Sequence, residues 1–155
     1  MIAAEPSPPW SQLLTLPKKR CFIDTNALVY ADSSDEPRKQ RIAIDLLRHL
    51  RFERLGVLST QVLNEYIQVG LRKLELPHPH IREQVHCYRQ FDLAAVTPET
   101  IDMALDLHQQ HALSYWDALI VASAHISGCA VLLTEDMGTG EVLAGVKLLN
   151  PFAAR

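Results

Sequence analysis

The chain has 155 residues, which is enough for one domain with a substantial hydrophobic core. Hydrophobic residues make up 48% of it, which excludes a disordered chain, and no apolar run is long enough to span a bilayer. The formal net charge of −3 gives no general attraction to nucleic acid, so any such binding needs a local basic patch. Cys21, Cys87 and Cys129 lie far apart, which is typical of core cysteines in a reducing cytoplasm.

The N-terminal segment, residues 1–20, differs from the rest of the chain. It contains many prolines and no apolar stretch of the length that a signal peptide needs. We interpret it as an extended arm that Trp10 and Leu13–Leu14 anchor on the domain surface. A loose tail or an overextended translation start fits the same composition. Residues 21–155 are predicted to form a single domain.

Beyond the arm, short apolar segments of strand length alternate with segments of helical period. The predicted elements, in chain order, are a strand at 21–24, a helix at 37–54, a strand at 56–60, a helix at 60–73, a helix at 81–90, a strand at 92–96, a helix from 98, a helix after 114, and strands at 130–134 and 146–150. Thr60 and Ser114 are predicted N-caps, and Gly128 is predicted to end the last helix. Pro77 and Pro79 are predicted to break the chain between helices.

Two of the predicted helices have a clear apolar face. In the helix at 37–54, this face consists of Ala43, Leu46, Leu47 and Leu50. The helix that opens at Thr97 and Pro98 is predicted to bury a face that consists of Ile101, Ala104, Leu105 and His108. Such helices, alternating with nearly wholly apolar strands, predict an α/β fold with a parallel sheet that is covered on both faces.

Four acidic residues stand in otherwise apolar segments, at predicted ends or beginnings of strands and helices. They are Asp24, Glu65, Asp117 and Asp136. A buried carboxylate without a partner costs roughly several kcal/mol, and none of the four segments contains a Lys or Arg. A hard divalent cation that prefers oxygen ligands, Mg²⁺ or Mn²⁺, is the natural partner, and it points to phosphate chemistry.

The topology predicts where these acids meet. Sites in parallel sheets form at the carboxyl ends of the strands. Asp24 closes the first strand, Asp136 lies three residues past Leu133, and Glu65 falls in a helix that follows a strand. These three acids are therefore predicted to share one rim. The helix of Asp117 follows another helix, so its placement is less constrained.

Each acid also has an ordinary structural interpretation. Asp24 opens an Asp-Thr-Asn segment that suits a turn. Asp117 lies three residues after Ser114, which is the spacing of a capping box. Glu65 could be a solvated helix residue, and Asp136 could be a solvated residue in a Gly-rich loop. The joint placement of the four favours a site over these separate explanations.

At these residues the chain resembles the PIN-domain family, and within it the VapC-type toxins. The resemblance covers about residues 21–152 and depends on the segments FIDTNALVY, STQVLNEY, YWDALIVASA and LLTEDM, with the ending VKLLNPF. It adds Asn26 and Thr134, which lie beside the first and fourth acids, as supporting residues. The arm is a departure, since these toxins usually begin almost at the first strand.

The resemblance implies a three-layer α/β/α sandwich with a central, mostly parallel sheet of about five strands. It implies a Mg²⁺- or Mn²⁺-dependent endoribonuclease, in which Asp24, Asp117 and Asp136 hold the metal and Glu65 completes its shell or orients the water. It also implies a small antitoxin in the active-site groove, a homodimer, and a cytoplasmic location without membrane association.

Phosphate contacts are predicted for the basic side chains of the helix at 37–54, for which a solvated helix face is the competing interpretation. These side chains are Arg38, Lys39, Arg41, Arg48 and Arg51. Three other functions stay open. A degraded PIN fold could bind RNA or a partner without cleaving. A phosphatase with Asp24 as nucleophile would need an acid at Asn26. A zinc site would have to use His78 with His80, or His108 with His111, and these pairs lack cysteine partners.

Overall fold

The computed structural model describes residue 11 and residues 18–153. The predicted N-terminal arm falls almost entirely outside the described residues. The elements, in chain order, are β1 (Cys21–Ile23), α1 (Thr25–Asp32), α2 (Pro37–Glu53), β2 (Gly56–Ser59), α3 (Thr60–Arg72), α4 (His78–Tyr88), β3 (Asp92–Ala94), α5 (Pro98–Gln110), α6 (Tyr115–Ile126), β4 (Val131–Leu133), β5 (Val142–Leu143) and β6 (Val146–Leu149). The predicted alternation of strands and helices is confirmed.

The strands form one six-stranded sheet in the order β3-β2-β1-β4-β6-β5. All neighbours are parallel except β5, which pairs antiparallel with β6. The central strand β1 aligns Phe22 with Val57 on one side and with Leu132 on the other. Strand order runs outward from β1 to β3 and then reverses to β4. This reversal puts the topological switch point between β1 and β4, where sites in such sheets form.

The same reversal distributes the helices. Parallel crossovers are right-handed, so connections that run in opposite directions place their helices on opposite faces of the sheet. Helices α1 to α4 therefore cover one face, and α5 and α6, which pack on each other, cover the other. The predicted three-layer α/β/α sandwich is confirmed, with six strands rather than about five. Its core contains fully buried strand residues such as Phe22, Leu58, Leu132 and Leu148.

Several boundaries differ from the sequence prediction. The helix α1 follows β1 directly and is capped by Asp24, whose side chain accepts from the Thr25 N–H. Ser59, rather than Thr60, caps α3. Pro79 does not break the chain but lies in the first turn of α4, where a missing N–H costs nothing. The short strand β5 is an addition that the sequence did not predict.

The predicted apolar face of α5 is wrong. Its buried residues are Thr100, Ala104 and Leu107, whereas Ile101 and Leu105 are 40% and 53% exposed. Two stripes of helical spacing overlap in this segment, and packing against α6 selects the one that contains the smaller side chains. The predicted N-caps are confirmed for both helices: Thr97 caps α5 and Ser114 caps α6.

In the part of the chain that the structure describes, no helix has both the length and the apolar character that crossing a membrane requires.

Candidate active site

Asp24 is the buried centre of the candidate site. It follows β1 at the switch point and is only 5% exposed. Its Oδ1 accepts from the Thr25 N–H at 2.7 Å, and its Oδ2 accepts from the Thr134 hydroxyl at 2.8 Å. Thr134 follows β4, so this hydrogen bond joins the ends of the two central strands. The carboxylate is therefore held in one orientation by two neutral donors.

Burial raises the pKa of Asp24 to about 6. The hydrogen bonds from Thr134 and Thr25 oppose this rise, because they stabilise the ionised form. The negative charges of Glu65 and Asp136 add to it. Both acids are joined to Asp24 by hydrogen bonds, Glu65 through Thr25 and the Asp136 backbone through Thr134. Three of the four predicted acids thus share the carboxyl rim of the sheet, as the topology predicts.

Glu65 lies in the second turn of α3 and is half-buried. Its Oε2 accepts from the Thr25 hydroxyl at 2.6 Å, and its Oε1 accepts from the Gln61 amide at 3.0 Å. Thr25 therefore bridges the first two acids, with its N–H on Asp24 and its hydroxyl on Glu65. Glu65 is turned toward the sheet rather than toward solvent.

Asp136 lies on the loop after β4 and is exposed. Its backbone N–H donates to the Thr134 hydroxyl at 3.2 Å, and its Oδ2 accepts from the Asn26 amide at 3.3 Å. Asn26 also carries a buried Oδ1 that has no hydrogen-bond partner. The two predicted supporting residues, Asn26 and Thr134, thus both contact acids of the cluster.

Asp117 lies in the first turn of α6, where the Ser114 hydroxyl accepts its backbone N–H at 3.1 Å. Burial raises the pKa of the Asp117 carboxyl, and the negative charges of Asp136 and Glu65 raise it further, whereas the Ser114 hydroxyl lowers it. The cap uses the N–H of Asp117, and the carboxylate lies within the field of the other acids. Gln61 joins Glu65 to the carbonyl of Trp116, the residue before Asp117, so the cap stands next to the other acids and does not exclude a role for the Asp117 carboxylate.

The donor set fits a hard divalent cation. It offers carboxylate oxygens with hydroxyl and amide oxygens beside them, and among the described residues no Lys, Arg or His forms an ion pair with any of the four acids. As the described side chains stand, no three acids, histidines or cysteines are close enough together to ligate one ion. Asp136 is exposed and Asp117 is half-buried, so neither carboxylate is fixed in place by burial.

The five basic residues of α2 do not form one patch beside the acids. Lys39 donates to Glu135 at 3.1 Å, next to Asp136, and Arg38 donates to the Phe152 carbonyl at 3.0 Å. Arg41 and Arg48 are exposed on α2, and Arg51, in its last turn, donates to Gln90 just before the amino end of β3. A contribution of these residues to phosphate binding stays a prediction.

Three site residues escape the sequence pattern. They are Thr25 and Gln61, which orient Glu65, and Glu135, which accepts from the Tyr30 hydroxyl and from Lys39. Thr25 has the one usable signal, because it stands between two predicted site residues. The histidines of the zinc alternative have other contacts: His80 Nε2 lies 3.0 Å from Asp32 Oδ1, and His108 Nδ1 lies 2.7 Å from the Leu113 carbonyl oxygen.

Solved structures with similar folds include toxins and toxin–antitoxin complexes. A toxin–antitoxin complex from Klebsiella pneumoniae is 20% identical with a TM-score of 0.63, covering 84% of this chain and 97% of that chain. The sarcin-ricin loop cleaving toxin VapC20 of Mycobacterium tuberculosis is 18% identical with a TM-score of 0.57, covering 75% and 89%. VapBC2 from Rickettsia felis, bound to a promoter DNA fragment, is 17% identical with a TM-score of 0.59, covering 83% and 96%.

The similarity to these three structures shows the fold of this chain. A comparison with curated protein sequences found no match. The PIN domain matches residues 21–142, a span that contains all four acids and the strands β1 to β4. The chain therefore belongs to the PIN domain family.

Proposed function

We propose that this protein is a divalent-metal-dependent endoribonuclease and the toxin of a type II toxin–antitoxin pair. The observation that carries the proposal is that Thr25 and Thr134 join Asp24, Glu65 and Asp136 by hydrogen bonds at one rim of the sheet, with no cationic partner for any of the four acids among the described residues. Membership of the PIN domain family supports it. The similar solved structures include a toxin that cleaves the sarcin-ricin loop, which favours RNA as the substrate.

In the proposed site, Asp24, Asp117 and Asp136 would hold Mg²⁺ or Mn²⁺, and Glu65 would complete its ligand set or orient the attacking water. The bound ion supplies Lewis-acid polarisation of the phosphodiester and a water of lowered pKa. Thr25 fixes Glu65 and Asp24 relative to each other, and Thr134 fixes Asp24 relative to the Asp136 backbone. The water oxygen bonds to phosphorus as the P–O ester bond breaks, and the proton that the water gives up balances the one that the leaving oxygen takes up.

The partner is proposed to be a small antitoxin protein. The similar structures from Klebsiella and Rickettsia were solved as toxin–antitoxin complexes. An acidic site with no internal cation suits an inhibitor that inserts an arginine, because a guanidinium pairs with carboxylates bidentately. We further propose a homodimer in the cytoplasm.

Cleavage of RNA by the purified protein tests the activity. We expect cleavage of a mixed RNA pool in Mg²⁺ or Mn²⁺ and its loss in excess EDTA, because the site offers only oxygen ligands. Asp136→Asn, purified in parallel, is the control for a contaminating nuclease and should leave only background cleavage. Undiminished cleavage in EDTA by the parent protein, absent from the variant, contradicts metal dependence.

Expression in bacteria tests the toxin assignment. We expect the intact protein to arrest growth when it is produced alone, and we expect growth to recover when a cognate antitoxin is coexpressed. Asp136→Asn should be tolerated without a partner. Robust growth of cells that produce the intact, folded protein alone counts against the assignment.

A non-catalytic RNA-binding module is the second candidate. The observation that favours it is that no three of the described ligand-type side chains converge on one ion as they stand. It predicts RNA binding that is unaffected by EDTA and an absence of cleavage in every metal.

A further inference from the structure

A groove borders the acidic cluster on the side of Glu65. It has a volume of about 620 Å³, within the range of about 300–1,000 Å³ that is typical of small-ligand pockets. It lies between α3 and the start of α6, and Glu65 lines it as well as the acidic cluster. Anything in the groove would therefore touch the candidate active site.

Trp116 is the most unusual side chain of this groove. It is 63% exposed, although exposing a large aromatic surface to water is unfavourable. It immediately precedes Asp117 in the first turn of α6. The Tyr115 ring contacts its ring edge-on, with centroids 5.6 Å apart and planes at 67°, which restricts its orientation. An exposed and oriented indole beside a catalytic carboxylate offers a stacking surface.

Three neutral amides contribute to the polar part of the groove. Gln61 is only 8% exposed, and its amide nitrogen donates both to Glu65 Oε1 at 3.0 Å and to the Trp116 carbonyl at 3.3 Å. The Oε1 atom of Gln61 is buried and has no hydrogen-bond partner, so it is an unsatisfied acceptor. Asn64 and Gln68 add exposed amides at the same groove.

The charge of the lining residues indicates whether the groove suits the phosphate or the base of a nucleotide. The lining residues include no Lys and no Arg, and Glu65 contributes a carboxylate. A phosphate group would be repelled there, whereas a neutral base that both donates and accepts hydrogen bonds matches the amides. Sequence-specific RNA recognition generally uses single-stranded bases that stack on aromatic side chains and present their edges to such groups.

We propose that the groove binds one unpaired nucleobase of the RNA strand, stacked on Trp116, next to the phosphate that is cleaved. Gln61 positions the base relative to the acids, since it contacts both Glu65 and the Trp116 backbone. This proposal rests on the proposed ribonuclease function. It names Trp116 as a determinant of which nucleotide lies beside the scissile bond.

Fluorescence of Trp116 tests the proposal without cleavage. The chain has two tryptophans, so Trp10→Phe leaves Trp116 as the only reporter. In EDTA, we expect a short single-stranded RNA of mixed sequence to quench this fluorescence, and an abasic sugar–phosphate oligomer of equal length and charge to leave it unchanged. Equal quenching by both oligomers, or quenching by neither, overturns the proposal whether or not the protein is a ribonuclease.

Kinetics of substituted proteins give the second test. Stacking of one base on an aromatic ring corresponds to a change in affinity of about tenfold or more, so Trp116→Leu should raise KM for the RNA by about that factor. Trp116→Phe should restore most of the loss, and both variants should keep the parent's response of melting temperature to Mn²⁺. If Trp116→Leu instead shifts the oligomeric state in sedimentation with KM unchanged, the groove is an interface between copies and the proposal is wrong.

Discussion

Asp24→Asn tests two effects of the buried Asp24 charge: destabilisation of the metal-free protein and binding of a divalent ion. The side chain keeps nearly the same shape, and its remaining oxygen still accepts from the Thr25 N–H. The new amide nitrogen faces the Thr134 hydroxyl, which can rotate to accept instead of donate. The substitution therefore removes one negative charge, and its cost is that the buried Thr134 hydroxyl hydrogen loses its carboxylate acceptor.

The magnitude follows from the pKa of Asp24, which burial raises from 3.8 to about 6. Each pH unit corresponds to about 1.4 kcal/mol, so the ionised carboxylate costs the folded, metal-free protein about 3 kcal/mol. Between about pH 4 and pH 6 the folded state holds this proton while the unfolded chain has released it. The contribution of Asp24 to stability thus falls as pH rises through that window and is constant above it.

The assay is denaturant unfolding of parent and Asp24→Asn in EDTA at several pH values. We expect similar stabilities at about pH 4 and an advantage of up to about 3 kcal/mol for the variant above pH 6. Saturating Mn²⁺ should reverse this order, because a ligand stabilises only the protein that binds it. Asp106→Asn, an exposed change on α5, is the matched control. A variant that is no more stable than the parent at pH 8 in EDTA refutes the reasoning.

Further predictions concern Asp117 with its cap Ser114, and the ion pair between Lys39 and Glu135. Asp117→Asn keeps the backbone N–H that the Ser114 hydroxyl accepts, so the metal-free variant should be at least as stable as the parent. The Mg²⁺-induced rise in melting temperature and RNA cleavage should both be lost. A destabilised variant that still responds to Mg²⁺ and still cleaves RNA excludes a metal role for Asp117. Ser114→Ala should show the opposite pattern, a loss of about 1 kcal/mol with the metal response intact. Lys39→Met leaves the half-buried carboxylate of Glu135 without its cation and should cost about 1–3 kcal/mol in urea unfolding, whereas the exposed Arg41→Met should cost little; equal losses contradict a specific role of the pair.

The sequence predicts the elements whose local signals agree with one another. The strands β1, β2 and β4 are nearly wholly apolar, and Thr97, Ser114 and Gly128 mark helix boundaries by side-chain caps and a left-handed backbone. The helix α1 could not be predicted in this way, because Asp24 and the two residues after it suit a turn as well as an N-cap. The strand β5 has two residues and depends on pairing with β6 rather than on any local pattern.

The position of Asp24, Glu65 and Asp136 at one rim could be predicted from the topology, whereas the hydrogen bonds that orient these acids could not, and Thr134 and Asn26 were named through the family resemblance alone. Each acid stands out as a charge in an apolar segment, and the topology brings strand ends together. The Thr25–Glu65 bond spans 40 residues and the Thr134–Asp24 bond spans 110, and neither separation has a sequence signature. The exposure of Ile101 and Leu105 likewise depends on which stripe of α5 meets α6, and this choice follows from packing between distant elements.

The hydrogen-bond donors around Asp24 are neutral, which explains how the fold can keep a carboxylate buried and still charged. A lysine or arginine at this position would neutralise the carboxylate permanently and would occupy the place of a metal. The hydroxyl of Thr134 and the N–H of Thr25 orient Asp24 without cancelling its charge, so its pKa remains raised to about 6 and the charge stays available to an added cation. The metal-free protein therefore holds its acids in place at a cost in stability, which a divalent ion or a basic inhibitor can offset. Because both would offset the same repulsion, we expect the two to compete for the site.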